Sequence, residues 1–394
     1  MRIAFIGQKG IPAKSGGVET SVESLAVRMA EAGHDVSVYA RSHYTDPSLH
    51  EGNGVKLIHL PSIPTKHLDA ISHTFLATMH ALFQRYDIIH YQSIGPSSFL
   101  VIPLMFLRRT KVIATFHCRD YFHGKWGKFA QAYLRFGEWI TCRFAEKTIV
   151  VSKELQEYVA EKYHRLSIYI PNGATVMEKT DGACLEGFGL QKSRYILSVG
   201  RLVAHKGVHY LIKAFLALEK SKKIPKDFKL VIVGSNANTS EYEDYLHQIA
   251  RESNNILFLG QRSGKELLDI FSNAAIFVQP SESEGMSIAL LEAMSWGLPS
   301  IVSDIRVNVE VLSGAGVFFR NKNVSDLQDK IAYLLNTPKD AMIFGADAKQ
   351  RICEQYSWDS NAKQMLLLYE EILHEKSLRN FQSFPHHRRA KKFL

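Results

Sequence analysis

The chain has 394 residues, of which 46% are hydrophobic and 22% charged, and at ~150 residues per domain it should hold two or three soluble globular domains. Its four cysteines, Cys118, Cys142, Cys184 and Cys353, have neither paired metal-ligand spacing nor framework density, which excludes a disulfide scaffold and fits a reducing cytosol. The net charge of +9 is uneven: residues 1–170 carry 20 basic against 14 acidic side chains, residues 171–384 carry 24 against 25, and the last ten, PHHRRAKKFL, carry four basic and no acidic ones, which points to an anionic partner.

The chain opens on RIAFIG, a continuous apolar run ending at glycine, as a buried parallel strand does. The run is too short for a secretory signal. After the loop QKGIPAKSGG, apolar residues at 18, 22, 25, 26 and 29 have helical spacing, so a helix is expected over Val18–Ala32, stopped by Gly33. Strands follow at HDVSVYA, YDIIHYQ, KVIATFH and TIVVS, with helical stretches between them. The longest apolar run, FLVIPLMFL from Phe99 to Leu107, has nine residues, whereas a bilayer span needs ~20. It is expected to be a buried helix; the alternative is a helix lying on a membrane surface, ended by Arg108 and Arg109.

The pattern restarts after IPNGATVM, residues 170–177, where Pro-Asn-Gly marks a turn. Strands are expected at YILSVG, FKLVIVG, NILFLG, AIFVQP and PSIVSD, with helices over about Val208–Lys220, 240–252, 265–273 and from 286. A last helix begins at about 359, after YSWD, and runs to 376–380, with Ser357 or Asp359 as its N-cap. The alternation predicts an α/β protein of two Rossmann-like domains facing across a cleft, residues 1–170 and 171–358, followed by a basic tail over 381–394. Ligands in such sheets sit beyond the carboxyl ends of the strands.

Two stretches occupy such positions. In VGRLVAHKG, residues 199–207, a strand ends at Gly200 and Arg201 and Lys206 follow at once, a planar fork and a point charge suited to phosphate oxygens. In PSESEGMSIALLEAMSWGLP, residues 280–299, a strand runs through a loop into a helix whose first amides, around Gly285, Met286 and Ser287, form an anion site. Glu284 precedes that helix end and Glu292 lies eight residues on, ~12 Å along the axis. A nucleoside diphosphate sugar has hydroxyls at both ends and charge in the middle, and this layout matches it. Solvated loop cations are the competing reading of Arg201 and Lys206 alone.

Taken in order, VGRLVAHKG and EGMSIALLEAMSWGLPSIVSD resemble the retaining glycosyltransferases of family 4, which have the GT-B fold. The likeness runs from IGQKGIPAKSGGVET to the helix after YSWD, and KGIPAKSGGVETSVESLA is similar to a subgroup of bacterial surface-polysaccharide enzymes that includes rhamnosyltransferases acting on lipid-linked acceptors. The resemblance implies roles. Arg201 and Lys206 match the diphosphate-binding pair, Glu284 the acid at the donor sugar, and Glu292 the acid that grips the ribose. His117, ending KVIATF, matches a histidine that points at the donor sugar, although a lone histidine at a strand end is as readily structural. Gly16 and Gly17 match a glycine loop near the diphosphate and acceptor, and Gln261 and Arg262 lie by the nucleobase. The last helix is implied to cross back to the first domain. Two departures leave the sugar open: IRVNVEVLSGAG follows the Ser-Asp pair without the usual early glycine, and Met286 stands where the family has an aromatic.

The implied reaction is retaining hexosyl transfer to a lipid-linked or saccharide acceptor in polysaccharide assembly. No D-x-D triplet occurs in the chain, so fixed cations are expected in place of a metal, and no cofactor is expected. A front-side attack, with the donor phosphate oxygen taking the acceptor proton, fits the lack of a second placed carboxylate. A dinucleotide oxidoreductase is disfavoured, since FIGQKG supplies only G-x-x-G and Arg41 stands where an acid is wanted. A sugar-nucleotide epimerase of the same fold and a non-catalytic partner subunit remain alternatives. The basic first half and tail suggest peripheral attachment to the anionic inner face of the cell membrane from the cytoplasm, and no nucleic-acid-binding module is seen.

Overall fold

The computed structural model describes residues 1–65, 68–122, 127–235 and 240–382. The first half forms one sheet. Its strands are β1 (Arg2–Ile6), β2 (Asp35–Arg41), β3 (Glu51–Gly52), β4 (Val55–Leu60), β5 (Ile88–Gln92), β6 (Lys111–Phe116), β7 (Lys147–Val150) and β8 (Ile168–Tyr169). They lie in the order β3-β4-β2-β1-β5-β6-β7-β8, parallel except for the β3–β4 hairpin at one edge. The second half gives β9 (Tyr195–Val199), β10 (Lys229–Val233), β11 (Ile256–Gly260), β12 (Ile276–Gln279), β13 (Ser300–Ser303) and β14 (Val317–Phe319), all parallel, in the order β11-β10-β9-β12-β13-β14. Strands β1, β9 and β12 are buried almost throughout, which is why they read as unbroken apolar runs.

In the first lobe the helices are α1 (Gly17–Glu31), α2 (Leu68–Leu82), α3 (Val101–Phe106), α4 (Lys128–Phe144) and α5 (Lys153–Tyr163). Helices α6 (Val208–Lys220), α7 (Ser240–Ala250), α8 (Gly264–Ser272), α9 (Ile288–Ser295), α10 (Arg306–Leu312), α11 (Val324–Asn336) and α12 (Pro338–Gln355) follow in the second lobe. The last helix, α13 (Trp358–Gln382), packs against α1. Its Trp358, Met365, Leu368, Tyr369 and Ile372 are buried in one core with Ile3, Phe5, Val22 and Leu25 of the first lobe. The hydroxyl of Tyr369 is 2.6 Å from Nδ1 of the buried His90 on β5. Residues 383–394, nearly all of the basic tail, lie outside the described residues.

One expectation is corrected. The run Phe99–Leu107 is not a buried helix: only Val101–Phe106 is α-helical, and Met105 and Phe106 are 75% and 68% exposed. Leu100 and Pro103 fill the lobe's outer layer, and a helix this short turns its last residues into solvent before Arg108 and Arg109. Strand β4 had no counterpart among the expected elements. Its burial alternates and then fades, so it lacks the continuous apolar signature of a central strand.

Candidate active site

The site forms where the carboxyl ends of both sheets meet. On the second lobe, β9 ends at Val199 and the chain turns through Gly200 and Arg201 into a short 3-10 turn, Ala204–Lys206, before α6. Gly207 makes that entry possible. Its φ is +67°, and a side chain there would collide with the Pro280 carbonyl, so the two site loops touch at backbone distance. A small cavity between them is lined by Gly200, Arg201, Lys206, Gln279, Pro280 and Ser281. The Arg201 side chain is exposed and has no hydrogen-bond or ion-pair partner among the described residues. Such a cation at a strand end is ready for an anionic ligand.

Lys206 and Glu284 hold one another: Nζ donates to Oε1 at 2.6 Å, with side chains only 19% and 8% exposed. Glu282, two residues earlier, serves the scaffold instead, accepting from the Tyr210 hydroxyl and pairing with Lys322, both at 2.8 Å. Past Gly285 and Met286, Ser287 caps α9, its hydroxyl accepting from the Leu290 amide. Asn172, buried at the crossing between lobes, donates to the Met286 carbonyl at 3.1 Å and fixes the approach to the helix. One turn after the cap, the Glu292 carbonyl accepts from the Ser295 hydroxyl at 2.7 Å, whereas its side-chain carboxyl has no hydrogen-bond or ion-pair partner among the described residues. Burial alone raises its carboxyl to about 7, so near neutrality it is poised between acid and carboxylate.

Across the cleft, His117 follows the end of β6 and is buried. Its Nε2 faces Gln92 Oε1 at 2.9 Å. With that oxygen as acceptor, Nε2 carries the proton and Nδ1 is left free to accept. Burial pushes the imidazole down to about 4, so it is neutral at pH 7. The His117 carbonyl lies directly against Gly285, at a spacing that leaves no room for a side chain. His117 and the Glu284–Gly285 loop are thus brought together in a closed cleft. The Cys118 thiol donates to Asp120 Oδ1 at 3.1 Å, and burial pushes the thiol well above its ordinary range.

The glycine loop closes the site from the other side. Lys9 N donates to the buried Glu19, Ala13 N to Glu23, and the amides of Lys14 and Ser15 to the Tyr44 hydroxyl. Gly16 starts α1 with a φ of +104°, and Gly17 faces Ile288 at the start of α9. Gln261 spans the cleft, donating to the Lys14 carbonyl at 2.5 Å, so it ties loop to lobe here. Arg262 is engaged locally: it donates to the Leu259 carbonyl, pairs with Glu266 at 3.2 Å and lies over the Phe188 ring. Sequence reasoning missed Gln92 as the partner of His117, and also Asn172 and Glu19. Asn172 sits in the Pro-Asn-Gly turn that the sequence marks, but its partner is 114 residues away.

Comparison with known proteins gives consistent results for each lobe. Residues 15–176 match the model described as Glycosyltransferase Family 4, and residues 187–351 the model described as Glycosyl transferases group 1. An uncharacterized glycosyltransferase of Methanocaldococcus jannaschii is 26% identical over 94% of this chain and 98% of its own. A transferase of Campylobacter jejuni that adds N-acetylgalactosamine to N,N'-diacetylbacillosaminyl-diphospho-undecaprenol is 30% identical over 48% of this chain and 47% of its own. Among solved structures, the sucrose-phosphate synthase of Thermosynechococcus elongatus superposes with a TM-score of 0.81 at 21% identity, covering 95% and 99% of the two chains. Anabaena HepE, solved with UDP-glucose, gives 0.76 at 19%, covering 94% and 100%. These neighbours share the two-domain GT-B fold. With a family 4 domain in the first lobe and a group 1 domain in the second, the chain is a glycosyltransferase.

Proposed function

We propose that this enzyme moves a hexose, with retained anomeric configuration and without a metal, from a nucleoside diphosphate sugar to a lipid-linked or saccharide acceptor in bacterial surface-polysaccharide synthesis. The observation that carries the proposal is the trio of Arg201, the Lys206–Glu284 pair and the start of α9, facing a neutral His117 across a closed cleft. As the sugar–phosphate bond breaks, the bonding pair stays on the diphosphate and positive charge spreads over the ring. Arg201, Lys206 and the α9 amides neutralise the leaving group. The acceptor hydroxyl bonds to the anomeric carbon on the same face, and its proton passes to the departing phosphate oxygen. Neutral His117 offers Nδ1 as an acceptor for a sugar hydroxyl without repelling the developing ring charge. Glu284 serves the sugar and Glu292 the ribose.

Two relatives support the substrate classes: HepE was solved with UDP-glucose, and the Campylobacter enzyme uses a diphospho-undecaprenol-linked acceptor. On this reading, with a nucleotide-sugar donor and a lipid-linked acceptor, the enzyme would work at the cytoplasmic face of the membrane, held peripherally. No described helix is long and apolar enough to cross a bilayer. The test is a panel of nucleotide sugars screened for thermal stabilisation, then for turnover with lipid-linked saccharide fractions. One donor should stabilise the protein, and the paired Arg201→Ala and Lys206→Ala changes should cut its turnover at least ~10³-fold. Unaltered turnover in that double variant would overturn the proposal.

A further inference from the structure

The outward surface of α4 has a composition unusual for a face turned to water. The helix is seated on the turn before α3: Gly137 lies against the Ile94 carbonyl, and the Tyr133 hydroxyl is 2.6 Å from that of Ser98. This seating turns Leu134, Glu138, Thr141 and Cys142 inward. The outward positions, at helical spacing, are Phe129, Ala132, Phe136 and Trp139, interleaved with Lys128, Arg135 and Arg143. Phe129 is 89% exposed, and Trp139 lies between Phe136 and Phe144 with ring centroids 6.0 and 5.1 Å away. The one acid of the helix, Glu138, is fully buried and accepts from Tyr158, Tyr163 and Lys162. The exposed surface of α4 is therefore aromatic and cationic, with no carboxylate.

The neighbouring helix continues the theme. The crossovers β5–α3–β6 and β6–α4–β7 join adjacent parallel strands in the same direction, so α3 and α4 cover the same side of the sheet. Helix α3 ends in the exposed Met105 and Phe106, followed by Arg108 and Arg109. The end of α2 adds Phe83, 82% exposed, and Arg85. A soluble protein seldom turns so many large apolar side chains to water on one side of a sheet. Aromatic rings among basic side chains suit a bilayer's headgroup zone, where the rings enter the acyl boundary and the cations meet phosphate. A protein partner would be expected to answer several cations with acids of its own, and a second copy of this face offers none.

We infer that the outward face of α4, extended by the ends of α3 and α2, is the surface by which this enzyme rests on a bilayer containing anionic phospholipid. The inference deepens the lipid-linked acceptor reading and rests on it. The full chain is sedimented with vesicles of phosphatidylcholine, alone or mixed with phosphatidylglycerol, at low and high salt. Binding should require phosphatidylglycerol and weaken with salt. The variant F129S/F136S/W139S should bind at least ~10-fold more weakly, since those rings supply the buried apolar area. It should keep wild-type thermal stability and nucleotide-sugar binding, because the three side chains are exposed and none belongs to the site loops. Deleting residues 383–394 should leave most vesicle binding in place. The inference is overturned by undiminished binding of the triple variant, by loss of all binding with the tail, or by a dimer that the variant turns into monomer. Failure of donor binding with vesicle binding intact would count against the proposed reaction alone.

Discussion

Gly285 offers the sharpest perturbation of the closed cleft. A methyl group there would fall inside the contact radius of the His117 carbonyl oxygen, 3.0 Å from its carbonyl carbon and 2.9 Å from Cys118 Cβ. Carbon atoms rest at ~3.5–4.0 Å, so the cysteine contact alone demands ~0.6 Å of retreat and the carbonyl more, about 1 Å together. None of these atoms is the end of a flexible side chain. The cheap response is for the lobes to stay apart by that amount. A misplacement of ~1 Å in a positioned site costs on the order of 10²-fold in rate. Gly285→Ala should therefore lower kcat about 100-fold while the dissociation constant for the nucleoside diphosphate, held by the second lobe, moves less than about threefold. Steady-state turnover beside calorimetric titration of the nucleotide reads both. A variant that turns over within a few-fold of wild type would show that catalysis does not need His117 against this loop, and the reasoning would fail.

Two further outcomes follow from the electrostatics. Glu292 is raised to about 7 from an ordinary 4.5 by burial, so folding favours its protonated form. The stability this confers is full below about pH 4.5 and is lost as pH rises through 7. Glu292→Gln should melt with the wild type at pH 4 and above it at pH 8 in the absence of nucleotide; equal melting at both would remove the burial argument. Lys206→Met leaves Glu284 charged, only 8% exposed and without its cation, which should lower stability by about 1–3 kcal/mol. Adding Glu284→Gln should recover most of that loss in chemical denaturation, and strictly additive losses would mean the two side chains are uncoupled.

The parts of the fold that could be read from the chain are those whose local signal matches their environment. RIAFI and IFVQ are buried almost throughout and need no knowledge of neighbours to look like central strands. The start of α9 was legible for a similar reason, since a strand end, a glycine and a serine cap lie within ten residues. Strand β4 and the Phe99–Leu107 run were misjudged or missed because their character depends on which side faces the sheet. The outward turn of α4 has the same cause: sequence gives its periodicity, and only the seating of Gly137 on Ile94 decides which stripe meets water. Within the site, residue types and strand-end positions were visible, whereas pairings were not. Lys206 meets Glu284 across 78 positions, His117 meets Gln92 across 25, and Gln261 reaches Lys14 across 247.

The chain passes between the lobes twice, at 170–174 and again at 356–358, where the Ala174 amide donates to the Tyr356 carbonyl at 2.8 Å. Everything on α13 that completes the first lobe's interior is therefore translated after the entire second lobe. While the ribosome is still making residues 171–357, the amino-terminal sheet exposes the hollow that Trp358, Met365 and Tyr369 will fill. The half of the molecule that is born first is the half that must wait, and a chain stopped early carries an open wound in its oldest part.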